Sequence, residues 1–580
     1  MYYHPYLRRV FLLCVVLISH SLRGQTTYFV TETGAGTMDG SSWFNASNSI
    51  QQMIDIAASG DEVWVAQGNY HPGTSETDSY IMKDGVSLYG GFQGTESQLQ
   101  QRDWTTYITR LNGDLNDDDV FGLGLWYSGW DITTANSNVL VLAQSIGAGT
   151  TIDGFRIESG YTTTTYQASG LIIDNSALEV ANCTFYRNFC YFGQGAGVSI
   201  INNAAPHITG CTFHQNLGQY SKGVGIHITS SADFTIENTE FIDNRGLATD
   251  VGPNNGVAIC HYVGAGNLTV RRCNFIDNTA ARYGVLGNQA DYGGAISSYG
   301  VSLQVEDCNF IGNSANYGGA VYVLKDATIV NCLFAENFAW GLQSSVGFDV
   351  GDVGSAILAS SFSGSTCNII NCTIANNTAG EGAVAAFQQA NLVILNSIIH
   401  GNTATGTEVT TFKAQVSGNN DIEYSCIEGL LEPEPGEDPP DPENFPGCLD
   451  TDPLLNDGTS TYYLSDVSPC IDAGSNAHYN GVGGSVDLDG NDRWFDDPST
   501  PDTGAGSAPV IDMGAFEFTV AGPTCQGDFN GDGMVNGADL LLMLAGFGCL
   551  ADCPTEIDGV PGISTNDLII FLGFFGNTCD

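Results

Sequence analysis

The chain has 580 residues, with 64 Asp plus Glu against 16 Lys plus Arg and a formal net charge of −48. Such a field works against binding nucleic acid or an anionic membrane surface and favours Ca²⁺ and other cations as partners. The length exceeds one ordinary globular domain, whereas a solenoid can absorb it in one continuous core.

Arg8 and Arg9 precede an apolar run over residues 10–18 and a small polar stretch ending at Gly24. This reads as a secretory signal over residues 1–24, too short to persist as a transmembrane anchor, and it predicts a secreted or surface-displayed protein. Residues 25–145 read as an N-terminal cap and first coils. Ile50, Met53, Ile54 and Ala57 recur at helical spacing and are followed by the strand pattern Glu62–Ala66, so one amphipathic helix is expected to cover an open core end.

Over residues 146–410 a short motif returns: Cys183-Phe185-Asn188, Cys211-Phe213-Asn216, Cys273-Phe275-Asn278, Cys308-Phe310-Asn313 and Cys332-Phe334-Asn337. Variants are Thr239-Phe241-Asn244, Cys372-Ile374-Asn377 and Ser397-Ile399-Asn402, and the spacing varies between 24 and 40 residues. Each motif follows alternating apolar residues, as in Leu303-x-Val305, and an Asn, Asp or Gly suited to a left-handed bend. A third strand opens with glycine, as in Gly223-Val224-Gly225-Ile226 or Gly318-Gly319-Ala320-Val321. Three short strands per turn predict an all-β, three-sheet parallel β-helix solenoid, with Cys, Phe and Asn stacked as buried ladders about 4.8 Å apart. The thiols are read as small core fillers, and the asparagines as bonding neighbouring turn backbones.

In residues 411–520 the repeat fades. Residues 432–443 are too acidic and proline-rich to pack, and Cys426 and Cys448 bracket them as a candidate disulfide. Next come Ser468-Pro469-Cys470-Ile471-Asp472-Ala473-Gly474, Asp487-Leu488-Asp489-Gly490-Asn491 and the stretch from Ile511 through Asp512 and Gly514 to Phe518. Asp487 and Asp489 read as a structural turn, with a cation site as the alternative.

Residues 521–580 carry the strongest chemical motif. Asp528, Asn530, Asp532, Asn536 and Asp539 put oxygens at positions 1, 3, 5, 9 and 12 of a loop with Gly533 at position 6. With the Met534 carbonyl at position 7, this set suits the six to eight oxygens that Ca²⁺ takes. A helix over 540–547 is expected to follow. A second, weaker loop offers Glu556, Asp558, Ser564 and Asp567, with Val560 and Pro561 where an acid and a glycine belong, before a helix over 568–575. Cys525, Cys549, Cys553 and Cys579 flank the two units as two candidate disulfides.

The cap segment, Gly85 to Phe92 and the repeats resemble secreted bacterial right-handed β-helix proteins of the pectin-lyase type. The Gly-Gly-Ala-Ile and Phe-x-x-Asn repeats are also similar to chlamydial polymorphic outer membrane proteins. The trio around Asp472, Asp489 and Asp512 resembles choice-of-anchor regions, and the tail resembles a type I dockerin. These resemblances imply a right-handed solenoid with a small α-helical Ca²⁺-binding module, extracellular display and a cohesin-like scaffold partner.

Acidic-polysaccharide lysis needs a base and a neutralising cation. Taking Val198 and its equivalents as inward, the outward row of the glycine-led strands reads Ser199, His227, Cys260, Ser297, Tyr322, Leu358 and Ala385, with a Gly or Ala row one step earlier. The row holds no acid, Arg or Lys. Lys222, Arg245, Arg271, Arg272 and Arg282 remain as loop bases and His227 as a lone exposed proton carrier. The reading is therefore a protein that binds glycans or cell-surface partners, with catalytic residues unknown. The alternative is a polysaccharide lyase or glycoside hydrolase with a loop-built site.

Overall fold

The computed structural model describes residues 24–120, 135–163, 168–248, 255–282, 291–340, 354–406, 409–433, 435–456, 462–519, 527, 529, 534–547 and 563–576. The strands are short, parallel and stacked coil upon coil, from Thr27–Val30 to Cys426–Ile427. Three hydrogen-bonded sheets result, of 22, 12 and 9 strands.

The largest sheet contains two strands of each coil. One is the glycine-led strand, such as Ile226–Ile228, and the other is the alternating apolar strand, such as Phe234–Glu237. The two ladders fuse where Ile357–Ile370 and Val384–Leu395 run straight through both. The 12-stranded sheet carries the phenylalanines. The nine-stranded sheet was not expected: it is a fourth strand per coil, two to four residues long, directly after the ladder asparagine, as in Leu217–Gln219.

Left-handed bends separate the apolar strand from the phenylalanine strand. Asn182, Asn238, Asp307, Asn331, Asn371 and Asn396 occupy them with φ of 48–53°. Asn and Asp tolerate this conformation best among residues with a Cβ. Arg272 holds the same bend at φ 50°.

Between the sheets lie the ladders. Phe185, Phe213, Phe241, Phe275, Phe310 and Phe334 stack with centroids 4.5–4.9 Å apart and planes within 8°. Beside them the asparagine amides form a continuous chain: Asn244 Oδ1 accepts from the Asn216 amide N–H (3.1 Å) and Nδ2 (2.9 Å), while Asn244 Nδ2 donates to Phe213 O (2.8 Å) and Asn278 Oδ1 (2.9 Å). Every polar atom of these buried side chains is satisfied by the coil before or after, which fixes register as well as strength. The ladder ends at Asn402, whose Nδ2 donates to Gln415 Oε1 at 2.7 Å from the helix Thr411–Gln415. The ladder cysteines are free thiols pointing at backbone carbonyls, as Cys211 Sγ does to Val180 O.

At the N-terminal end the helix Ile50–Ile56 buries Ile50, Met53 and Ile54 against the first coil, and Ser49 Oγ caps it by accepting from Gln52 N–H. The C-terminal region packs on the flank of the solenoid at three successive bends. Asn331 Nδ2 donates to Tyr479 Oη, Asn371 Nδ2 to Asp512 O, and Asn396 Nδ2 to Ser475 O. A buried Arg493 ties this region down by donating to Asn331 Oδ1, Ala515 O and Glu517 Oε2.

Cys426 and Cys448 are both free, so the bracketing disulfide is not present. They face different clusters, Cys426 beside Cys470 and Cys448 against the main core. Among the described residues no helix is long and apolar enough to cross a membrane.

Candidate functional site: the glycine-led face and the tail

The outward row lines up as expected, Ser199 with His227, Cys260, Ser297, Tyr322, Leu358 and Ala385 in one register. Its burial was not expected, since all seven are buried. The preceding turns fold back over it. Gln194, Lys222, Asn255, Tyr292 and Tyr317 stack as a parallel row of bridges, each followed by a glycine with φ of 57–78°. A Cβ on Gly223 would lie 2.2 Å from Ile226 O and 2.8 Å from His227 Cα, so only glycine permits this close turn.

His227 is therefore corrected from exposed proton carrier to buried core residue. Neither ring nitrogen has a hydrogen-bond partner, and burial, reinforced by the nearby Lys222 charge, pushes its pKa down to about 3. The small row one step earlier is also corrected, because it faces inward. Ala258, Ala295, Ala320 and Ala356 belong to the main core, and a Cβ on Gly197 would meet the Phe213 ring at 2.9 Å.

Aromatic side chains cover this face, with Tyr262, Tyr292 and Tyr299 part-exposed and Tyr317 and Tyr322 buried. Tyr262, Tyr299, Tyr322, Tyr292 and Tyr317 make a chain of ring contacts, with centroids 6.4, 5.5, 4.6 and 5.5 Å apart in that order. Tyr292 and Tyr317 flank one side of the strands; Tyr262 and Tyr299 flank the other. Tyr322 lies between them in the outward row. In the coils of Gln194 and Lys222, Tyr191, Phe192 and Tyr220 form a second cluster on the same turn side, with Phe192 stacked on Tyr220 at 4.6 Å. Lys222 sits between the clusters, its Nζ 3.0 Å from Tyr262 Oη and 4.2 Å from the centre of that ring. From Gln194 to Tyr317 the row spans four coil steps, about 19 Å at the strand spacing.

The remaining candidate bases are engaged elsewhere. Arg245 pairs with Asp243 at 2.7 Å, and Arg271 and Arg272 both bind Glu237, at 2.9 and 2.7 Å. The Arg282 side chain lies outside the described residues, as do residues 283–290 and 341–353. Asp487 forms a closed turn: it is buried, and its carboxylate accepts from the amides of Asp489, Asn491 and Glu517.

In the tail, Asp528, Asn530, Asp532, Glu556 and Asp558 lie outside the described residues, as do Cys525, Cys549, Cys553 and Cys579. Met534, Asn536, Asp539, Ser564 and Asp567 lie within them. Asp539 is buried and closes its loop, accepting from Phe529 N–H at 2.8 Å and Asn536 N–H at 2.9 Å. Asn536 caps the helix Gly537–Ala545, which therefore begins earlier than the apolar pattern indicated. Asp567 repeats this at the helix Thr565–Phe574, accepting from Ser564 N–H and Oγ at 2.7 and 2.8 Å. Of the expected loop ligands, Asn536 and Asp539 are thus brought together, with Asp539 binding the amides of Phe529 and Asn536. Val535, Met543, Ile563 and Phe571 join the two helices in one small core, while Leu541, Leu544, Ile569 and Leu572 stay exposed.

Residues 169–362 match the family model described as "Right handed beta helix region", and residues 32–252 match "Protein of unknown function (DUF1565)". Among curated proteins none matches. The matching solved structures include two at low identity. One is titled pectate lyase Pel9A: 12% identity, 86% of this chain, 98% of that chain and a TM-score of 0.35. The other is titled a complex of XylC with xylose: 11% identity, 75% of this chain, 88% of that one and a TM-score of 0.35. The ladders and the first family match together give the fold: a right-handed parallel β-helix.

Proposed function

We propose that the glycine-led face binds a glycan chain lying along the solenoid axis, and that the tail is a calcium-dependent attachment module on a protein displayed outside the cell. The carrying observation is the chain of five tyrosines from Tyr262 to Tyr317. The part-exposed rings of Tyr262, Tyr292 and Tyr299, held in place by the buried Tyr317 and Tyr322, offer flat apolar surface to the faces of sugar rings, with hydroxyls at their rims for the sugar oxygens. Fixing them on stacked strands lowers the ordering cost of binding. Lys222, in contact with Tyr262, provides a cation for a uronate or sulfate group.

Two observations favour a binder over a lyase or hydrolase. The outward row carries no carboxylate, and its histidine is buried and held neutral. In the tail, Asp528, Asn530, Asp532, Met534 O, Asn536 and Asp539 would hold one Ca²⁺, with Glu556, Asp558, Ser564 and Asp567 as a weaker second set. The ion would brace the loop ahead of the helix Gly537–Ala545. The exposed leucines and Ile569 of the two helices then suit an apolar docking surface for a cohesin-like scaffold or another cell-surface partner.

A glycan array probed with the purified full chain, with and without chelator, tests the reading. Binding to acidic polysaccharides that survives chelation supports it. Sustained release of unsaturated sugars or reducing ends from the bound polymer would replace it with the enzyme reading.

A further inference from the structure

Asp472 lies in the region packed on the solenoid flank, and its backbone is held from both sides. Its N–H donates to Asp512 Oδ1 at 2.7 Å, and its carbonyl accepts from Thr503 and Gly504 N–H, both at 3.0 Å. The Thr503 contact brings its neighbour Asp502 alongside, and Asp496 arrives from the other arm of the same loop. A carboxylate oxygen from each of Asp472, Asp496 and Asp502 then lies within 4.8 Å of the other two.

Acidic side chains gather on many surfaces without consequence; Asp472 is different. The residue is fully buried, and neither carboxylate oxygen has a hydrogen-bond partner. Asp497's own carboxylate is occupied by Ser499 and Thr500. A buried carboxylate with both oxygens unsatisfied must either take up a proton or draw a cation to it, and burial beside Asp502 and Asp496 raises the Asp472 pKa. The acidic trio Asp114, Asp118 and Asp119 differs in its buried member: Asp114 has both oxygens engaged by the amides of Asp118 (3.2 Å) and Asp119 (2.9 Å), and the oxygen without a partner, Asp119 Oδ1, belongs to a part-exposed residue.

We propose that Asp472, Asp496 and Asp502 bind a Ca²⁺ ion that locks the C-terminal region onto the solenoid, separate from the calcium loops of the tail. Donors bound to one ion at about 2.4 Å lie no more than twice that distance apart, and Ca²⁺ takes oxygen ligands at 2.3–2.6 Å. An all-carboxylate set is hard and suits Ca²⁺ over zinc or copper. Asp472 supplies the buried ligand; Asp496 and Asp502, both exposed, leave the outer side open to water, which completes the shell. Ion binding then couples the loop over residues 496–502 to the segment at Ser475 and Asp512, which contacts Asn396 and Asn371.

The test uses the full chain and Ca²⁺ alone. Calorimetry should show one fewer Ca²⁺ in Asp502→Asn and in Asp472→Asn than in the wild type. Asp539→Ala should remove a different equivalent, and the double variant should lose both. Hydrogen exchange at the Thr503 and Gly504 amides should slow at least tenfold on adding Ca²⁺ to the wild type and to Asp539→Ala, and stay unchanged in Asp502→Asn. Because Asp502 is exposed, that variant keeps the fold even if Asp472→Asn, at a buried position, loses it. Unaltered stoichiometry in Asp502→Asn, or equal protection by Mg²⁺, would overturn the proposal.

Discussion

Replacing Asn244 by Ala probes the asparagine ladder at an interior rung. The change orphans two buried donors, the Asn216 N–H and one Asn216 Nδ2 proton, and removes a donor from Phe213 O. Each unsatisfied buried group costs about 1–3 kcal/mol, so a loss of about 4 kcal/mol is expected for the set. The first rung is an internal control. Among the described residues Asn188 Oδ1 accepts from Gly160 N–H alone, at 3.0 Å, so Asn188→Ala orphans one donor and should cost about half as much. Asn203→Ala, on an exposed turn, should stay within about 0.5 kcal/mol of wild type. Urea unfolding followed by far-ultraviolet circular dichroism measures all three variants against the wild type. Asn244→Ala falling level with Asn203→Ala, or below Asn188→Ala, would refute the view that the side-chain ladder holds the coils in register.

Other consequences follow from the same packing. His227 has its folded pKa depressed from 6.5 to about 3, so its contribution is fully present above pH 6.5 and is lost as pH falls toward 3. At about 1.4 kcal/mol per unit this amounts to about 5 kcal/mol, and His227→Leu should flatten that part of the stability–pH curve; an unchanged slope would contradict the burial. Gly197→Val must displace the Phe213 ring and the Gly225 carbonyl, 2.6 Å from the added Cβ, and should cost about 2–3 kcal/mol in the same unfolding assay. Asp539→Ala should abolish the calcium-induced gain in helical signal of the tail. A wild-type chain whose tail shows no such gain would remove the chemical basis of the attachment module.

The repeat motif carried much of the fold because each of its residues does one physical job at each turn. The Cys position fills a small core site, the Phe stacks, the Asn bonds the neighbouring coil, and the residue before the Cys turns left-handed. The fourth strand was illegible because two to four residues after a bend carry no periodicity of their own. The error at the glycine-led strands has a similar origin. Alternation assigns faces only along a straight strand, and at the corner before Ile259 two successive residues, Ala258 and Ile259, both face the core. That corner also buries the next row under its own turn, which turned an expected exposed histidine into a core one.

The candidate binding surface was harder to read. Its tyrosines occupy three different places in the repeat: Tyr292 and Tyr317 before the strand, Tyr322 within it, Tyr262 and Tyr299 after it. Only the stacking of coils makes them neighbours. Asp472 was visible inside a conspicuous motif, but its partners Asp496 and Asp502 lie in a separate loop and meet it only through the Thr503 and Gly504 contacts. Asn331, Asn371 and Asn396 were legible as bends; that their side chains also carry the C-terminal region was not.

The glycan-binding face is tested most directly by calorimetry of the full chain, and of its Tyr292→Ala and Tyr299→Ala variants, against an array-selected polysaccharide. The account predicts at least tenfold weaker binding in each variant with the fold unchanged by circular dichroism, and a Lys222→Ala loss confined to acidic polymers. Wild-type affinity in both tyrosine variants would contradict it.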